Sequence, residues 1–206
     1  MIDDGSQDRT VDIVRGMAKT TPSVQLLQAG HLGKGGAVKR GMLEAHGAHL
    51  LFMDADSSTH IREWQRCAPW LLDGYEVVIG SRKMPGAVVT KHQPPLREVM
   101  GRVFTWITNV LLGVRITDIT CGFKCFHAKA ARQIFQLQRM NGWGFDAEIL
   151  FIARRLGYRI KEVPVVWSDD ASTKVQLFND ALRSFKELVQ IRVGAWRGDY
   201  SQEGCT

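Results

Sequence analysis

The chain has 206 residues, 45% of them apolar and 23% charged, with a formal net charge of +6. That is enough apolar material to bury one core and too little compositional bias for a disordered chain, and the positive charge suits an anionic partner: a nucleotide, a nucleic acid or an anionic membrane surface. No uninterrupted apolar run approaches the ~18 residues of a bilayer span, and "MIDDGSQD" lacks the basic-then-apolar order of a signal peptide.

The chain opens on "IDDGS", which reads as the end of a strand entering a turn. Residues 8–20 follow with Val11, Val14 and Met17 at helical spacing behind the capping candidate Asp8. "SVQLLQA" (23–29) reads as a strand. The glycine-rich "GHLGKGGAVKRG" feeds a helix over 35–46, and "HLLFMDAD" is the next strand. A helix over 61–72 and the strand "EVVIGSR" (76–82) come next, then a loop over 86–95 and a long apolar-rich helix in "LREVMGRVFTWITNVLLGV".

"DITCGFKCF" (118–126) reads as a loop entering a strand, and residues 128–137 and 145–157 as helices, the second ended by Gly157. Residues 158–167 form a strand that Pro164 assigns to a sheet edge. A final amphipathic helix covers 179–193. This alternation implies an α/β fold with a mostly parallel sheet covered on both faces. With no repeat or linker, the chain reads as one domain over 1–197 with a tail over 198–206.

Four cysteines without CxxC pairing or histidines at zinc spacing read as reduced thiols of a cytosolic protein, Cys205 lying in the tail. "LLFMDADSS" carries the sharpest chemical signal. In an extended segment residues i and i+2 project to one side, so Asp54 and Asp56 would aim two carboxylates beyond the carboxyl end of a strand. Two hard oxygen ligands suit Mg²⁺ or Mn²⁺, with phosphates completing the sphere. Aspartate and serine are also ordinary turn formers.

"DDGSQDRT" is a second acidic turn, readable as a helix cap or as carboxylates that hydrogen-bond a base or ribose. "GKGGAVKRG" places Lys34 by a helix N-terminus, a natural phosphate seat, although the spacing is not that of a P-loop.

In this order the acidic turn, the glycine-lysine turn and Asp-x-Asp resemble glycosyltransferase family 2, in its polyprenyl-phosphate branch. "IDDGSQDRT", "GKGGAVKRGM", "MDADSS", "IGSR", "DITCGFKCF", "GWGFDAEIL" and "EVPVVWSDDASTKV" carry the likeness from Ile2 to about Arg197. The resemblance implies a GT-A fold, a Rossmann-like sheet flanked by helices, and inversion at the anomeric centre. It also implies that an N-terminal strand and helix of the family are missing ahead of Met1, a truncation that would expose a sheet edge.

By the same likeness Asp3 and Asp4 hold the nucleoside and Lys34 the donor. Asp54 and Asp56 hold Mg²⁺ or Mn²⁺ on the diphosphate, and Arg82 contacts phosphate. Asp118 is the first candidate for the catalytic carboxylate and Asp146 the second. Lys124 and Lys174 join Arg82 in relieving repulsion between the donor diphosphate and an acceptor phosphate, which needs positioning more than a base. In the Lys174 loop, Ala-Ser-Thr replaces the family's glycine-serine lead.

The implied reaction passes a hexose from a nucleotide sugar to a polyprenyl phosphate. UDP-glucose is the first donor, from "CGFK" and "VVWSDD", and GDP-mannose the second. A saccharide acceptor and an inactive nucleotide-sugar-binding remnant are the alternatives. Val99, Val103, Trp106, Ile107, Val110 and Leu111 form one wide apolar face, flanked by Arg97 and Arg102, which reads as an interfacial helix. That makes the expected location cytoplasmic, peripheral at the membrane's cytoplasmic face. A nucleic-acid partner is not expected, because aromatic residues are not interleaved with the basic ones.

Overall fold

A computed structural model describes residues 1–169 and 177–201. In chain order the elements are β1 (Ile2–Asp3), α1 (Thr10–Thr20), β2 (Leu27–Gln28), α2 (Lys34–Glu44) and β3 (His49–Met53). A single 3-10 turn at Ile61–Glu63 leads into α3 (Trp64–Leu72), followed by β4 (Val77–Ser81), β5 (Val88–Lys91) and α4 (Pro95–Leu112). The remainder is β6 (Phe123–His127), α5 (Ala128–Leu137), α6 (Phe145–Arg155), β7 (Ile160–Pro164), β8 (Val166–Ser168) and α7 (Leu177–Trp196).

The central sheet has the order β3-β6-β4-β7. Strands β3, β4 and β7 run the same way, while β6 lies between β3 and β4 and is antiparallel to both. The sheet is mostly parallel, as expected, with one antiparallel strand at its centre. β6 enters through the loop after α4, at the end of the sheet where β3 and β4 finish, so it must run backwards. Two parallel pairs, β1–β2 and β5–β8, accompany this sheet.

Alternation along the strands builds two cores. On one face Leu50, Phe52, Val77, Ile79 and Phe126 meet Ala131, Ile134 and Phe135 of α5 and Ile149, Leu150 and Ile152 of α6. On the other, Val78, Phe123 and Cys125 meet Cys67 and Leu71 of α3. Each fully buried aliphatic or phenyl side chain contributes about 1.5–3 kcal/mol. Helix α6 is buried along nearly its whole length, with Asp146 and Glu148 in its first turn and Arg154 and Arg155 in its last, matching the macrodipole.

Several expected elements differ in detail. The strand over 23–29 shrinks to Leu27–Gln28, and the loop over 86–95 contains β5, which forms only because β8 pairs with it. The strand over 158–167 breaks at Val165, whose N–H donates to the Ser81 carbonyl; Pro164, without a donor, ends β7 at the sheet edge. The wide apolar face read into α4 divides in two. Ile107 and Leu111 pack on the core, while Leu96, Val99, Val103, Trp106 and Val110 are each half or more exposed. At the other end of the chain, the Tyr200 hydroxyl donates to Glu148 Oε1 at 2.8 Å.

Candidate active site

The ends of β3 and β4 and the start of β6 meet at one edge of the sheet, where a cavity of about 890 Å³ opens beneath α4. Asp54, Asp56, Lys34, Arg82, Trp143 and Asp146 line it, together with Lys83, Arg97 and Arg102.

The Asp-x-Asp segment is a turn and not extended chain: the Ser57 N–H donates to the Asp54 carbonyl at 3.2 Å, and Ser57 takes a left-handed φ of 55°. The segment is thus the turn that its residue types allow, and from it Asp54 and Asp56 both line the cavity. Asp56 Oδ1 accepts from Ser58 N–H at 2.9 Å, and Asp54 Oδ1 is 2.8 Å from Lys34 Nζ. The Asp54 N–H donates to the Gly122 carbonyl at 2.9 Å, and a Cβ at position 122 would overlap the Asp54 carboxylate. Gly122 is glycine so that Asp54 can lie there.

Lys34 reaches the cavity by its side chain, 5.0 Å from the Trp143 ring centroid. Burial pulls its ammonium down, but Asp146, Asp54 and Asp56 outweigh that and hold it above the ordinary lysine value. Around the start of α2, read as a phosphate seat, four backbone donors are already engaged within the protein. The Leu32 and Gly33 N–H groups donate to the two oxygens of Asp4 at 2.7 and 2.8 Å, and those of Gly35 and Gly36 both point to the Asn141 carbonyl. The glycines serve packing: a Cβ on Gly35 would stand 2.6 Å from the Met140 carbonyl oxygen and 2.7 Å from Phe145 Cβ.

Asp3 accepts from the N–H groups of Gly5 and Ser6, and the Ser6 side chain first, then these backbone bonds, hold its carboxyl below the usual range. Asp3 and Asp4 organise the two turns and do not line the cavity.

Asp118 is fully buried and is clamped. Arg82 donates to it from Nε, from the guanidinium NH2 and from its backbone N–H, at 2.7–2.8 Å. Burial alone would raise the Asp118 carboxyl, yet these bonds and the Arg82 charge hold it below its ordinary value. The carboxylate has no face on the cavity, which corrects its ranking as first catalytic candidate. It fixes Arg82, whose guanidinium carbon also lies 5.2 Å from the Trp167 ring centroid and which does line the cavity.

Because the folded Asp118 pKa is depressed, its contribution is present above the unfolded value of about 3.9 and is lost as pH falls further. Asp118→Asn is expected to cost about 3 kcal/mol in urea unfolding at pH 7. The gap from the wild type should narrow at pH 3 and below.

Lys124 was expected among the phosphate-facing cations. Its side chain is instead completely buried in the core, donating to the Cys121 carbonyl at 2.7 Å and to Asp146 Oδ1. Its charge reaches the cavity through Asp146, which lines it. Lys174 lies outside the described residues.

Sequence reading alone missed Trp143, Lys83 and Glu187. Glu187 of α7 accepts from the Gly144 N–H at 2.6 Å, and a Cβ on Gly144 would stand 2.7 Å from Glu187 Cβ, so the glycines around Trp143 admit α7. The "GWG" triplet was the available signal. Cys67, Cys121 and Cys125 are buried free thiols, the Cys121 thiol pushed up to about 11 by burial.

Residues 1–135 match the family model described as glycosyl transferase family 2. A dolichyl-phosphate beta-glucosyltransferase of Dictyostelium discoideum is 33% identical over 209 residues, 96% of this chain and 64% of the relative. That of Drosophila melanogaster is 34% identical over 212 residues, again 96% and 64%. The chain therefore spans about three fifths of the length of such relatives. Among solved structures, glucosyl-3-phosphoglycerate synthase of Mycobacterium tuberculosis in complex with Mn²⁺, UDP-glucose and phosphoglyceric acid superposes with a TM-score of 0.66 at 18% identity. That superposition covers 93% of this chain and 67% of the synthase. At that identity the likeness establishes the fold, GT-A. From the matched motifs, the relatives and the sheet, this chain is a member of glycosyltransferase family 2.

Proposed function

We propose that the chain is the catalytic domain, over residues 1–197, of an enzyme that transfers glucose from UDP-glucose to a polyprenyl phosphate with inversion. The observation that carries this reading is one cavity lined both by the Asp54–Asp56 pair and by Arg82, Lys83, Arg97 and Arg102. Such a wall suits two phosphate-bearing substrates, one held through a cation and one held directly. The dolichyl-phosphate beta-glucosyltransferase relatives support glucose and a lipid phosphate.

The donor set fits Mg²⁺ or Mn²⁺. Asp54 and Asp56 offer hard oxygens on one turn, and among the described residues no group of three ligating side chains gathers, which leaves the remaining positions to donor phosphates. When bound, the cation would neutralise the leaving diphosphate. Arg82, set by Asp118, and Lys83, Arg97 and Arg102 orient the acceptor phosphate. Its oxygen is already anionic, so no side chain has to remove a proton. Asp146, held by Lys124, is the carboxylate available to hydrogen-bond the sugar. Asp3 and Asp4 act on the nucleoside side by fixing the turns that carry Lys34.

Peripheral contact with a cytoplasmic membrane face is part of the same reading. No described helix is long and apolar enough to cross a membrane. Helix α4, however, turns Leu96, Val99, Val103, Trp106 and Val110 outward while its Arg97, Met100, Gly101 and Arg102 line the cavity. Its buried side includes Thr105 and Thr108, whose hydroxyls donate to carbonyls one turn back at 2.8 Å. An apolar outer face over a partly polar inner one suits a helix lying in a lipid interface and bringing the cavity mouth to a lipid acceptor.

The test is transfer from labelled UDP-glucose by the full-length protein, with Mn²⁺ and polyprenyl phosphate. Label is expected in a chloroform-soluble product. Label in a water-soluble saccharide would replace the lipid acceptor, and UDP binding without transfer would leave a binding remnant.

A further inference from the structure

The Asp54 carboxylate has two claimants. One is Lys34, whose Nζ holds Oδ1 at 2.8 Å; the other is the divalent cation of the proposed transfer. Asp54 is fixed, by its N–H on the Gly122 carbonyl and by a carboxylate seated where position 122 has no side chain. Lys34 is the movable partner: its four-carbon stem leaves the first residue of α2, and its side chain is 27% exposed toward the cavity. A part-exposed ion pair of this kind is weak enough to exchange. An ammonium and a divalent cation cannot share one oxygen without repulsion. Once displaced, the ammonium remains in a cavity that Asp56 and Asp146 also line, where a bound diphosphate would add a further anionic partner.

We infer that Lys34 is a built-in counter-ion, which neutralises Asp54 in the donor-free protein and passes to the donor diphosphate when the cation takes its place. The inference rests on the metal-dependent reading above and adds an order to it. Cation and nucleotide each remove an obstacle to the other, so their affinities are coupled, and by the same factor in both directions. Trp143, 5.0 Å from the ammonium, gives the lysine a surface to slide across during the exchange.

The experiment is a Mn²⁺ titration of the full-length protein followed by electron paramagnetic resonance, with and without UDP. Four proteins are compared: wild type, Lys34→Met, Lys34→Arg and Lys83→Met. Lys83 lines the same cavity, but its Nζ is engaged by Thr105 Oγ1 at 3.1 Å.

In Lys34→Met without UDP, Mn²⁺ affinity is expected to rise about two- to fivefold, the worth of a part-exposed pair, and UDP should tighten Mn²⁺ less than in the wild type. Lys34→Arg should keep the wild-type pattern and Lys83→Met should change donor-free affinity little. Unchanged donor-free affinity in Lys34→Met, or an equal gain in Lys83→Met, overturns the counter-ion role. If UDP-dependent Mn²⁺ binding persists in that case, the proposed transfer stands without it. Absence of Mn²⁺ binding in all four proteins overturns both.

Discussion

Asparagine at position 56 is expected to lower turnover of the full-length enzyme by at least about a hundredfold, the scale of losing transition-state charge stabilisation at a leaving group. The substitution is chosen because it separates the two jobs of the Asp54–Ser57 turn. The Asp56 Oδ1 accepts from the Ser58 N–H at 2.9 Å, and an asparagine side-chain oxygen can accept the same bond. Residues 54–58 should therefore keep their shape, and Tm should shift by about 2 °C or less. What is removed is the negative charge. Asp54→Asn should lose turnover to a similar degree, with the added loss of the Lys34 pair. Wild-type rates in both variants would reduce the segment to a turn and remove the metal-dependent reading.

The second large effect is on stability. Lys124→Met is expected to cost about 3–5 kcal/mol, because it strips the partner from a buried carboxylate. The side chains of Lys124 and Asp146 are 0% and 3% exposed, so water cannot replace the lost bond. Methionine fills much the same volume on the Phe52 side, where the ammonium now stands 5.4 Å from the ring centroid, so packing is nearly conserved and the charge is isolated as the cause. The double variant Lys124→Met/Asp146→Leu should recover most of the lost stability while remaining inactive. Urea unfolding of the four proteins of this cycle gives the coupling energy directly. A single variant within about 1 kcal/mol of the wild type would show that the pair does not hold the Asp146 carboxylate.

These effects fall on residues whose types were evident early and whose partners were not. Asp54 and Asp56 stand after a continuous apolar run, Leu50 to Met53, and that alone puts them beyond a strand end. Lys124 stands one residue from Phe123 in an equally apolar run, and nothing local says whether it faces solvent or core. Its place is fixed by β6 running antiparallel between β3 and β4, which sets Lys124 opposite Phe52 on the face that α6 covers. The same insertion brings Gly122 against Asp54. Asp118 and Arg82, 36 residues apart, are likewise joined only once β4 and the loop into β6 lie side by side.

From the residues alone came the order of strands and helices, the apolar rhythm that fills both faces of the sheet, the acidic pair at its edge and the family likeness. Each of these is written in short-range spacing, because backbone geometry repeats every two or 3.6 residues and turns need particular residues. Which charge meets which was decided by the assembled sheet. Helix α2 shows the difference most plainly: its glycine-lysine start reads as a phosphate seat, yet the Leu32 and Gly33 N–H groups just ahead of it are taken by Asp4 and those of Gly35 and Gly36 point to the Asn141 carbonyl. A backbone donor takes an acceptor that folding brings within reach, and pairings across such sequence distances depend on strand order and direction, which no local period encodes.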